Sequence, residues 1–225
     1  MPRQSFDRQI HHLQDEVLLL GSMVEQALVQ SVDLLKRRDI PASKRLMADD
    51  HLVNEKRYAI ENNVLILMAT QQPIAHDLRL LAAVLEVITE LERIGDYAKG
   101  IAKVTVRLED SELPIPIREL TQMAELASGM LHRGLGAFVT ENVALAYAIP
   151  AEDTTVDNLY LEVYRTLVNT MIAQPKLIDQ TNLLLWVDHN LERAADRVTN
   201  ICERTIFIAT GELLEMDMED NEDTE

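Results

Sequence analysis

Leu91-Glu92-Arg93, followed by Asp96, is restated 100 residues later as Leu191-Glu192-Arg193, followed by Asp196. Each copy lies in a stretch whose apolar residues return every three or four positions, the spacing of one helix face. A period near 100 residues is too long for a solenoid unit. It points to duplication of a whole antiparallel helical bundle, and so to two related units packed side by side.

The rest of the chain follows the same plan. Residues 3–38 predict a first helix through Leu13, Val17, Leu20, Val24, Leu28, Val32 and Leu35. Pro41 suits the first turn of a second helix, running to about Thr70. Pro73 opens a third, which ends before the polar run EDSELPIP. A fourth helix covers about 117–139, and a fifth about 142–172 with Pro150 as a kink or restart. Pro175 precedes a sixth, about 176–210, with Gly211 as its C-cap. The expectation is an all-α fold of two tandem, pseudo-symmetric three-helix bundles. They span 1–112 and 113–212, ahead of an acidic tail at 213–225.

Composition supports this plan. Seven glycines and seven prolines leave little material for turns, and an aromatic fraction of 4% leaves the core to aliphatic residues and Met. The formal net charge of −17 excludes nucleic-acid binding through the bulk field, because phosphates are repelled. The stretch Glu215–Glu225 holds seven acids and no base, so that tail is expected to be solvated and disordered. The single Cys202 rules out an intrachain disulfide and suits a reducing cytoplasm. Residues 1–12 carry no apolar core of a secretory signal, and no apolar run reads as long enough to span a bilayer. Contact with a membrane is expected only through a partner.

The chemistry concentrates on four helical pairs. Glu92 and Asp96 are four apart and share a face, as do Glu192 and Asp196. Glu92 falls in line with the apolar Leu85 and Ile88; Glu192 falls in line with Leu185, with Asp188 between them. The second helix of each unit brings a further pair, Asp50 with Asn54 and Asp153 with Asp157. Carboxylates bordering a buried stripe need compensation by a salt bridge or by a cation. Spacing leaves both open. Oxygen donors on two adjacent helices suit hard cations such as Mg²⁺, Ca²⁺ or Mn²⁺, and iron as well. Among the histidines His11, His12, His51, His76 and His132 form no ligand pair. His189 precedes Glu192 by three, the reverse of the Glu-x-x-His order of di-iron bundles. No nucleophilic triad order, Gly-rich phosphate loop or Cys-x-x-Cys is present.

At residues 71–103, QQPIAHDLRLLAAVLEVITELERIGDYAKGIAK, and at 190–203, NLERAADRVTNICE, the chain resembles the PhoU family of phosphate-transport accessory and regulatory proteins. The resemblance extends over about 1–211. It implies a homodimer of paired three-helix bundles and a cytoplasmic, regulatory rather than enzymatic role. It implies negative control of phosphate uptake and phosphate-starvation signalling. The implied partners are the ATPase subunit of the phosphate ABC transporter and the PAS region of a sensor histidine kinase. It also implies metal, namely iron, manganese, magnesium or zinc, on Asp50, Glu92 and Asp96 in the first half and Asp153, Asp157, Glu192 and Asp196 in the second. Asn54 stands where the second half has an acid, while Asn200 and Glu203 extend the second-half motif. Gly100 and Lys103 replace that last pair in the first half, so stronger binding is expected in the second. Two rivals remain at this point: a ferritin-like di-iron enzyme, and a metal-free helical adaptor with salt-bridged acids.

Overall fold

The computed structural model describes residues 2–109 and 114–216, with side chains from Gln4 onward. Among the described residues seven α-helices carry the fold: α1 Pro2–Arg37, α2 Ile40–Gln71, α3 His76–Leu108, α4 Ile117–Thr140, α5 Val143–Ala148, α6 Asp153–Ala173 and α7 Ile178–Thr210. No strand occurs among the described residues. The polar run at the expected unit boundary lies outside them at 110–113.

Local chemistry sets the helix ends. Asp39 caps α2 by accepting from the Ala42 backbone N–H at 2.9 Å, with Pro41 in the first turn. The third helix begins at His76 rather than at Pro73, because Gln72 and Ala75 sit at positive φ and turn the chain before it re-enters a helix. The expected fifth helix is split. Asn142 caps the short α5, Pro150 opens a 3₁₀ turn over Pro150–Glu152, and α6 starts at Asp153. A proline ring cannot continue the preceding hydrogen-bond ladder, so the helix restarts there. Pro175 likewise opens a 3₁₀ turn before α7, and Gly211, at φ 80°, ends α7.

In the first half α1, α2 and α3 pack on one another; in the second α4 and α6 pack against α7. The halves meet along α3 with α7 and α1 with α4. One continuous apolar core runs through both, including Leu81, Ile88 and Leu91 of α3 and Val187, Leu191 and Val198 of α7. Among the described residues, one helix, Gln4–Arg37 within α1, is long and apolar enough to span a bilayer by composition, contrary to the sequence expectation. Its stripe of Val17, Leu20, Val24, Leu28 and Leu35 is fully buried in the protein core. At the C-terminus Leu214 and Met216 pack back on this core, so the segment before Asp217 is tied down. The tail expected to be disordered lies, from 217 onward, outside the described residues.

Gly21 of α1 packs directly against Leu135 of α4. A Cβ there would stand 2.1 Å from Leu135 Cδ1. Gly21→Val is therefore expected to force Leu135 out of its packed rotamer and cost about 1–3 kcal/mol, read as a fall in thermal unfolding midpoint. An unchanged midpoint would show that α1 and α4 are not held this close.

Candidate metal centre

The duplicated acids occupy equivalent places in the two halves, on α2 with α3 and on α6 with α7. Helix geometry gives residues four apart a common face, so each helix delivers its acids to one side. Their surroundings differ.

In the first half, Asp50 is buried and accepts a hydrogen bond from Lys99 Nζ at 2.7 Å. Asn54 Nδ2 reaches the same Asp50 oxygen at 3.3 Å. Lys99 also lies 3.9 Å from Asp96 Oδ1. The hydrogen bond to Asp50 holds the Lys99 ammonium above the usual lysine range. Burial pushes the Glu92 carboxyl up, Asp96 and Asp50 push it further, and the Arg57 guanidinium opposes them. Burial and Asp50 raise Asp96, against Lys99. The three acids thus face Lys99, Arg57 and Arg93, and the first-half cluster is compensated from within the chain.

The second half has the opposite balance. Asp153 opens α6, where the positive helix end favours an acid. Burial nevertheless pushes its carboxyl up to about 7, with Asp157 and Asp196 adding to the rise. Burial also pushes Glu192 up to about 7; Asp196, Asp157 and Asp153 contribute, and Arg193 opposes. Asp153 Oδ1 and Glu192 Oε2 are buried without a hydrogen-bond partner. His189 Nδ1 stands 3.4 Å from Glu192 Oε2, and Arg193 Nε 3.8 Å from Asp196 Oδ2. Positions equivalent to Lys99 and Arg57 hold no charge here. Thr199 lies 100 residues beyond Lys99, and Tyr160 lies 103 beyond Arg57, the offset that relates Asp50 to Asp153.

Two expected ligands are placed elsewhere. Asn200 Nδ2 donates to Glu90 Oε2 at 3.3 Å, beside Arg197, on the face toward α3. Glu203 is buried and accepts from the Met216 backbone N–H at 2.7 Å, which ties the C-terminal segment to α7. The lysine that neutralises the first half is Lys99 and not Lys103, which is exposed. Its signal was in the sequence: Lys99 follows Asp96 by three, on one helix face. Sequence reasoning placed Asp188 between Leu185 and Glu192 but left it out of the ligand set; its side chain is fully buried and neither oxygen has a hydrogen-bond partner. Burial pushes it up to about 8, and the neighbouring Glu192 charge adds to the rise.

Among the described residues no three His, Cys, Asp or Glu side chains stand close enough to hold one ion. Like charges facing one another separate when nothing draws them together. The donor set itself fits a hard cation, since Asp153, Asp157, Glu192 and Asp196 all offer carboxylate oxygen and Asp153 Oδ1 and Glu192 Oε2 are buried without a hydrogen bond. Cys202 takes no part: burial pushes its thiol up to about 12, which leaves it an inert core residue.

Comparison with known proteins agrees with this duplicated architecture. The PhoU domain matches twice, over residues 17–105 and 120–205, one match per half. A phosphate-specific transport system accessory protein PhoU homolog of Clostridium acetobutylicum is 33% identical over 217 residues, covering 96% of this chain and 99% of that protein. The crystal structure of the phosphate transport system regulatory protein PhoU from Streptococcus pneumoniae superposes with a TM-score of 0.87 at 31% identity. It covers 94% of this chain and 100% of that one. PhoU from Pseudomonas aeruginosa gives a TM-score of 0.86 at 28% identity, over 92% and 100% of the two chains. With both halves matched and relatives at this identity over nearly the full length, the chain belongs to the PhoU family.

Proposed function

We propose that this protein is a non-enzymatic regulator attached to a phosphate-specific transport system, acting by protein contacts and holding a divalent cation in its second half. The transport association rests on relatives named as accessory proteins of that system. The cation site rests on one observation above all: among the described residues, Asp153 Oδ1 and Glu192 Oε2 are buried carboxylate oxygens with no hydrogen-bond partner. Asp153, Asp157, Glu192 and Asp196 are the residues that would hold the ion. A bound cation supplies the positive charge that Lys99 and Arg57 supply in the first half.

The chain's own residues divide the work. Asp153 and Asp157 fix the start of α6, and Glu192 and Asp196 fix the middle of α7. Drawing them together pins α6 to α7. The outer faces of both helices then keep a defined shape for docking. The expected partners are the transporter ATPase subunit and the PAS region of a sensor histidine kinase, with a homodimer in the cytoplasm and negative control of uptake as the outcome.

Pull-down of the ATPase subunit and of the kinase by this protein, with and without chelator, tests the reading. Capture of at least one partner is expected, weakened by chelator if the ion braces the docking face. Absence of capture under both conditions would overturn the regulatory role. Oxygen-dependent turnover after anaerobic iron loading would favour a di-iron enzyme instead.

A further inference from the structure

Asp188 belongs to neither the repeated motif nor the ligand set just proposed. Its side chain is 0% exposed, and neither carboxylate oxygen has a hydrogen-bond partner. It precedes Glu192 by four residues on α7, so the two side chains share a face about 6 Å apart along the axis. The two carboxylates feel one another's charge, and Tyr160 of α6 feels both. The residue 100 positions earlier, in the first half, is Ile88, an ordinary core side chain at 1% exposure. Packing at this depth therefore asks for an aliphatic group. A carboxylate there is costly unless a cation compensates it.

Among the described residues no cation is placed against Asp188. The nearest acids are Glu192 and, through it, Asp153, Asp157 and Asp196. Arg193 is spent on Asp196 at 3.8 Å, and His189 lies against Glu192. A fully buried acid with two idle oxygens, directed at a cluster already short of positive charge, has the character of a ligand.

We propose that Asp188 is an additional cation ligand, sharing an ion with Glu192 and carrying the second-half site one helical turn deeper than the repeated motif reaches. This rests on the second-half cation reading above. The ligand class is a hard divalent ion, since carboxylate oxygen is the donor throughout. The extra acid gives this half a ligand set that the first half, with Ile88, cannot match.

The test uses the full chain stripped of metal by chelator and titrated with manganese(II) by calorimetry, with thermal unfolding read in parallel. Asp188→Asn and Asp188→Ile are each expected to weaken manganese binding, by roughly tenfold or more for the isoleucine variant. At a pH above about 8, where Asp188 is ionised, both are expected to raise the unfolding midpoint of the metal-free protein, because an uncompensated buried charge is gone. A merely structural residue would not give these opposite signs. Should Asp188→Ile fail to fold, the near-isosteric Asp188→Asn decides. Unchanged manganese affinity in the Asp188 variants, alongside a clear loss in Glu192→Gln, would overturn the role of Asp188 and leave the site standing. Wild-type protein that binds no manganese, or binding untouched by Glu192→Gln, would overturn the site itself.

Discussion

Lys99→Ala is expected to open the first half of the protein to divalent cations. In the wild type the Lys99 ammonium sits 2.7 Å from Asp50 and 3.9 Å from Asp96, in the place a cation would take among Asp50, Glu92 and Asp96. Without the ammonium those carboxylates keep only the more distant Arg57 and Arg93, both acting on Glu92. The variant should therefore bind one more manganese ion per chain than the wild type. The reciprocal double change, Asp153→Asn with Glu192→Gln, is expected to lower second-half affinity by roughly a hundredfold or more, beyond the range for loss of a merely supporting group. Asp50→Asn should leave manganese binding by the wild-type background nearly untouched. Stoichiometry by calorimetry and elemental analysis reads all three. If Asp50→Asn cost as much binding as the second-half double change, the halves would be equivalent and the asymmetry wrong.

Metal-free protein is expected to lose stability as pH rises from 6 to 8, the reverse of ordinary acid denaturation. Burial puts Asp188 at about 8 and both Asp153 and Glu192 at about 7 in the folded state. Unfolded, each returns to the usual carboxylate range near 4. Between those limits the folded state binds protons that the unfolded state has released. Their contribution is full below pH 4, falls as pH climbs, and is gone above about 8. In the first half Glu92 and Asp96 are raised as well and carry the same sign. Glu152, lowered by its bond to Arg133, acts in the opposite sense, but its change falls below pH 5. A loss of roughly 2 kcal/mol between pH 6 and 8 corresponds to about 4–8 °C in unfolding midpoint for a chain of this size. Saturating manganese should flatten or invert the trend, because only deprotonated carboxylates bind it. A midpoint that climbs from pH 6 to 8 in chelator would show that these acids are paired within the fold.

The helices were legible because their signals are local. The α1 stripe from Leu13 to Leu35, the Asp39–Pro41 start of α2 and the Gly211 stop of α7 each depend on residues within a few positions. The break at Pro150 was marked, but its outcome, a 3₁₀ turn and a restarted helix at Asp153, depends on how that corner packs. The candidate site was legible as a pattern and not as a charge balance. Asp50, Glu92, Asp153 and Glu192 could be named from spacing. Whether each finds a cation depends on side chains from another helix.

Duplication and helical periodicity thus determined the architecture from sequence alone, since both are set by residues near one another along the chain. Only the tertiary structure decided which acids are compensated. It brought Lys99 of α3 onto Asp50 of α2, turned Asn200 toward Glu90 and Glu203 toward Met216, and buried Asp188 without a hydrogen-bond partner among the described residues. The physical reason is that the energy of a charge depends on its distance to every neighbour and on exclusion of water. Neither quantity exists until the helices have packed.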